Sequence, residues 1–145
     1  SSFVGSANPM VNWAEGGYVA YAGWGETMTE SSGHWTFPST GLWEVHLRCV
    51  AWNDVGFEES YMPTIYSSVN SGAAYSDVAL STQSVPDSNK SYMETHCWGM
   101  VDVTDETTFR IKFRAQNMTD ETNTETYGHS TLFLTGAVFK KYRGT

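Results

Sequence analysis

Basic residues are scarce in this 145-residue chain: Lys and Arg number 8 against 16 Asp and Glu, a formal net charge of −8. A partner that presents a phosphate backbone needs a basic footprint, so the balance argues against nucleic acid. An anionic membrane surface is disfavoured for the same reason. No segment approaches the ~18 consecutive apolar residues of a membrane span, so no membrane insertion is expected. The 2 cysteines, Cys49 and Cys97, are too few for a disulfide scaffold. They form either one inter-sheet bridge or two buried thiols acting as small hydrophobes, and the second reading is favoured. Lys, Gln and Leu, the strong helix formers, are sparse. No secretory leader is visible, and with a start at Ser1 the expectation is a processed product or a recombinant fragment.

Aromatic residues make up 14% of the chain, and Thr, Ser, Gly, Tyr, Trp and Val are plentiful. That composition suits pleated, half-buried surfaces. The fold class it predicts is all-β, in one domain over residues 1–145, with enough chain for a substantial core. Short apolar runs separated by turn signals suit a sandwich or jelly roll. The run "SFVGSANPMVNW" reads as a strand interrupted at Pro9, which has no ladder donor. "GGYVAYAGWG" reads as a short strand bounded by glycines. "GHWTFP" leads into a corner, "PSTG", where Pro38 presets φ and Gly41 tolerates a left-handed backbone.

Beyond the corner, Trp43, Val45, Leu47, Cys49 and Ala51 fall on one face of a strand, and Glu44, His46 and Arg48 on the other. In "TFRIKFRAQ", Phe109, Ile111, Phe113 and Ala115 point inward, and Arg110, Lys112 and Arg114 outward. "EESYMPTIYSSVNS" and "KSYMETHCWGMVDV" read as further strands. "SVPDSNKS" and "NMTDETNTETYGHS" read as loops. The last run, "STLFLTGAVFKKY", places Phe133, Ala137 and Phe139 on one face and Leu132, Leu134 and Val138 on the other. A strand apolar on both faces must be covered twice. One cover is the core; the other is a loop or another copy of the chain, and a second copy is favoured. Trp52 and Trp98, outward by alternation, fit a subunit contact.

No catalytic constellation is recognisable. His34, His46, His96 and His129 are scattered, with no HExxH and no His-plus-Cys pair at zinc spacing. His96 and Cys97 point to opposite faces of one strand. GxSxG and a phosphate-binding Gly-rich loop are missing. The expectation is a protein that is not an enzyme and needs no cofactor. Asp120, Glu121 and Glu125 fit a solvated loop better than a calcium cage. The sequons at 89–91 and 117–119 matter only in a eukaryotic secretory setting. The loops mix Tyr, Asn, Asp and Ser, which can hold sugars by stacking and hydrogen bonding. Tyr75, Tyr127 and Asn123 are the candidate ligand contacts.

The order "WTFPSTGLWEV" at 35–45, "FRIKF" at 109–113 and "GHSTLFLTGAVF" at 128–139 resembles the C1q/TNF-like domains. Those domains open a strand with P-x-T/S-G-x-Y/W-x-V and close with a His/Ser–x–Phe–x–Gly–hydrophobic strand. Phe133 and Gly136 match the closing segment, one residue further apart than is usual. The phrasing "SSGHWTFPSTGLWEV", residues 31–45, is similar to domains in tail-fibre and other virion proteins of marine bacteriophages. The resemblance spans roughly residues 3–142. It implies a two-sheet antiparallel jelly roll of ten strands, assembled as a homotrimer. The first and last strands would be neighbours in the inner sheet, near the threefold axis. With the alternation above, this makes Leu132, Phe133, Leu134, Val138, Phe139 and Trp98 the trimer interface. Some relatives bind calcium at the trimer apex.

The function this implies is a non-enzymatic virion surface protein, a tail-fibre or spike tip that attaches to a host-surface glycan or protein receptor. Its partners would be two further copies and other virion proteins, and its location the virion. The alternatives are a capsid decoration or adaptor protein and a secreted C1q-like or carbohydrate-binding module.

Overall fold

Eleven strands carry the regular structure of the described residues, which in this computed structural model are 3–4, 6–11, 13, 27–53, 58–85, 91–117, 122–128 and 135–143. In chain order they are β1 (Phe3–Val4), β2 (Thr29–Ser31), β3 (His34–Thr36), β4 (Gly41–Asn53), β5 (Glu58–Ser68) and β6 (Ser76–Leu80), then β7 (Gln83–Val85), β8 (Ser91–Val103), β9 (Arg110–Asn117), β10 (Thr124–Thr126) and β11 (Gly136–Arg143). No helix occurs among these residues. The expected all-β class is what the chain adopts, as two antiparallel sheets in a sandwich-like arrangement.

In the first sheet β4 is central. β8 pairs with it along its whole length, from Gly41 opposite Val103 to Asn53 opposite Ser91. Its other edge is shared end to end: β11 covers Leu42 to Arg48, and β10 covers Ala51 to Asn53. β1 pairs with β10, not with β11, so the first and last strands share a sheet without being direct neighbours among the described residues. The second sheet runs β2-β3-β9-β5-β6, with β7 on the stretch of β5 beyond β6. Past β3, the edge of β9 is taken up by the N-terminal segment. Ala7 exchanges two backbone hydrogen bonds with Ala115, and Met10 N–H donates to Phe113 O at 2.8 Å. The N-terminal run thus contributes to both sheets, Phe3 and Val4 pairing in the first and Ala7 and Met10 in the second, with the donorless Pro9 between the last two.

Alternation built the two clearest strands as expected. Trp43, Val45, Leu47, Cys49 and Ala51 of β4 meet Ile111, Phe113 and Ala115 of β9 in one core, with Tyr61 and Ile65 of β5 and Met93 and Val101 of β8. Phe37 explains the corner. It is buried, and its ring lies 5.2 Å from Trp43, 5.5 Å from Phe109 and 5.8 Å from Phe139, all edge-on. One ring thereby pins β4, β11 and the entry to β9 as the chain leaves one sheet for the other. Full burial of such a side chain contributes about 1.5–3 kcal/mol. Gly41 closes the corner with φ +140°, and a Cβ there would lie 2.2 Å from Arg143 O. Only glycine fits both the angle and the close approach.

The sheets also meet where β8 faces β6. A Cβ on Gly99 would lie 2.5 Å from Val78 Cγ1, so the missing side chain makes room for Val78. Cys49 and Cys97 are free and buried, on the same face of the same sheet, which rules out an inter-sheet position for a bridge. Cys97 Sγ donates weakly to Pro63 O at 3.8 Å.

The segment 117–130, read as a loop, contains strand β10. Its sequence Thr-Glu-Thr looks polar, yet Thr124 and Thr126 are fully buried. Their hydroxyls are partnered, Thr124 Oγ1 by Asn53 Nδ2 at 3.0 Å and Thr126 Oγ1 by Tyr61 OH at 2.8 Å. Paired hydroxyls on β-branched side chains make burial affordable here. The expected strand "GGYVAYAGWG" lies outside the described residues.

Candidate functional site on the two outer faces

The outward residues of β4, β8 and β11 form a continuous face. Val138 is opposite His46, and His46 is opposite Trp98, so the three stand in one row across three strands. The rings of His46 and Trp98 are stacked, 6.0 Å apart and 17° from parallel. Trp98 is 60% exposed and Val138 50%. The adjacent row is Lys140, Glu44 and Met100. Of the exposed large apolar or aromatic side chains among the described residues, Tyr92, Trp98, Met100, Val138 and Tyr142 all belong to this face; Val11, Val69 and Leu80 lie elsewhere. Large exposed apolar patches are characteristic of interaction surfaces.

Charged groups are laced through the patch and mutually bonded. Glu44 accepts from Tyr142 OH and is bonded to His46 Nε2. Arg48 Nε donates to Glu94 Oε1 at 3.0 Å, and His96 Nε2 lies 3.0 Å from the same oxygen. The Tyr142 hydroxyl, then His46, hold the Glu44 carboxyl below its ordinary value, and Arg48, then His96, do the same for Glu94. Lys140 Nζ rests 4.8 Å from the centroid of the Tyr142 ring. At one end of the face Tyr92 packs on Trp52 at 4.4 Å and on Tyr127 at 6.0 Å.

Of the six expected interface residues, Trp98 and Val138 stand on this face. Leu132, Phe133 and Leu134 lie outside the described residues. Phe139 requires a correction: alternation along β11 turns it inward with Ala137, and it packs on Trp35 at 5.3 Å and on Phe113 at 6.0 Å. The outward side of β11 reads Val138, Lys140, Tyr142, so its apolar character gives way to a cation and a phenol. His46, Met100 and Tyr92 were not singled out, although period-two alternation of "SYMETHCWGM" places Tyr92 and Met100 with Trp98.

The outer face of the second sheet differs in charge. His34 is opposite Lys112, and Lys112 opposite Tyr66. Tyr75, from the turn between β5 and β6, folds over this row. Its OH lies 2.6 Å from His34 Nδ1. Lys112 Nζ is 4.4 Å from the Tyr75 ring centroid and 5.2 Å from that of Tyr66, within cation–π range of both. Arg114 Nη1 donates to Tyr66 OH at 3.1 Å. Arg110 serves the turn beside it, donating to the carbonyls of Glu106, Thr107 and Phe109.

The three expected ligand contacts are therefore not in one place. Tyr75 is on the second sheet, while Asn123 and Tyr127 flank β10 in the first. Asp120 and Glu121 lie outside the described residues, and Glu125 is paired opposite Trp52. Among the described residues, no group of three or more His, Cys, Asp or Glu could hold a metal ion. Neither a protein-family model nor a curated protein matches the chain.

Proposed function

We propose that the chain is a jelly-roll module of the C1q/TNF-like kind that assembles as a homotrimer through the outer face of β8, β4 and β11. In this reading it serves a bacteriophage virion as a non-enzymatic surface protein that attaches to a host receptor. The observation that carries the assembly is the exposed row Val138, His46, Trp98. A face with this much aromatic and aliphatic surface is stabilised by burial against a partner, with mutually bonded charges fixing orientation. The path of the chain supports the jelly roll: it visits the first sheet at β1, β4, β8, β10 and β11, and the second between β1 and β4, between β4 and β8, and between β8 and β10. The sequence resemblance over residues 31–45 supports the virion setting, and its warrant is analogy.

The receptor-binding half is tested by adsorption. A fluorescently labelled domain, applied to a panel of marine bacterial isolates, should stain a subset of them, and excess unlabelled domain should displace it. A domain that assembles yet stains no isolate supports the decoration role in its place.

A further inference from the structure

The second sheet's outer face gathers positive charge on a chain whose net charge is −8. Arg110, Lys112 and Arg114 follow one another on the outward side of β9. A solvated strand face would carry such residues extended into water. Here Lys112 is instead held between the rings of Tyr66 and Tyr75, and among the described residues it makes no ion pair with a carboxylate. Asp77, opposite Tyr66, is the acidic border of the row.

The arrangement is built in advance. Ser68 Oγ accepts from the N–H groups of Asn70 and Gly72, and Asn70 Oδ1 accepts from Ala74 N–H at 3.0 Å. Ser71 N–H donates to Thr108 O at 2.8 Å, tying the turn to the one that Arg110 closes. This scaffold sets Tyr75 over Lys112 before any ligand arrives, which lowers the entropic cost of binding. In the tautomer whose Nδ1 accepts from the Tyr75 phenol, the imidazole keeps its N–H on Nε2 as a further donor.

We propose that this face binds a saccharide bearing a carboxylate. Lys112 and the free N–H groups of Arg114 take the carboxylate, Arg114 through its planar fork. Tyr66 and Tyr75 offer ring faces to the sugar, and His34 offers a hydrogen bond. The site gives the receptor of the preceding section a chemical class and rests on that reading. A sugar with isolated charges suits it better than a nucleic acid, whose dense phosphates would meet the acidity of the rest of the chain. In a trimer three such sites act together, so weak single contacts add up to firm attachment.

The test is an array printed with sialylated, uronic-acid, sulfated and neutral glycans and an oligothymidylate. Labelled wild type should bind the carboxylated glycans and not their neutral counterparts. Lys112→Ala and Tyr75→Ala should each lower that signal at least tenfold at unchanged solution mass. Arg114→Gln serves as a further variant, with the same loss expected if either of the others fails to fold. A blank array, equal binding to neutral glycans, preference for sulfated glycans or the oligothymidylate, or binding indifferent to these substitutions overturns the proposal. A blank array from a chain with trimer mass removes this inference alone. A monomer that binds carboxylated glycans through Lys112 removes the assembly reading alone.

Discussion

Tyr61 of one sheet reaches across the core to Thr126 of the other, hydroxyl to hydroxyl at 2.8 Å, with both residues fully buried. Burial also pushes the Tyr61 phenol well above its ordinary range, so it stays protonated and able to donate. Tyr61→Phe keeps the ring and strands the Thr126 hydroxyl. The expected loss is about 1–3 kcal/mol of unfolding free energy. Urea unfolding followed by tryptophan fluorescence, at matched protein concentration because assembly adds to apparent stability, would show it. An unchanged midpoint would mean the bond contributes nothing.

Gly41→Ala meets two obstacles, the backbone angle and Arg143 O. Strain at such a position costs about 1–3 kcal/mol before any clash is counted. The substitution should lower the unfolding midpoint more than Ala at Ser39, on the same corner. Equal effects would refute the role given to Gly41.

The thiols should be inert in the folded chain. Burial pushes Cys97 up to about 11, with a hydrogen bond from Ser81 acting against it, and raises Cys49 further. At pH 8 neither carries appreciable thiolate. A chromogenic disulfide reagent should label none in native protein and both of the 2 cysteines in guanidinium. Rapid native labelling would contradict the burial.

Acid should weaken one turn in particular. Asp105 accepts from Thr107 Oγ1 at 2.6 Å and Thr107 N–H at 2.9 Å, and these bonds hold its carboxyl below the ordinary value of 3.8. Because the folded value is lowered, the stabilisation is present above the unfolded value and is lost as pH falls through the folded one. Asp105→Ala should therefore lower Tm at pH 7, with the gap to wild type closing as pH falls through the lowered folded value. A gap independent of pH would assign the effect to something other than the carboxylate.

How much of this could be read from sequence depended on whether the signal was local. β4 and β9 were legible because each buries one face, and period two then fixes which side chains turn inward. The corner was legible from Pro38 and Gly41, though not the part Phe37 plays in it, which needs three distant elements. β10 was hidden because its buried residues are threonines, and only Asn53 and Tyr61, more than 60 residues away in sequence, make their burial favourable. The outer face of the first sheet was half legible. Trp98 and Val138 followed from alternation, whereas their meeting through His46 follows from register. Tyr75 is legible as a loop aromatic, but its surroundings are not. The turn that lays it over Lys112 joins residues too far apart in sequence for any spacing rule.

The most direct test of the assembly is solution mass by light scattering for wild type, Val138→Asp and Trp98→Glu. Wild type is expected at three times the 16.1 kDa of one chain, and both variants at the single-chain mass. Wild type at 16.1 kDa, or variants that keep the full assembled mass, would contradict it.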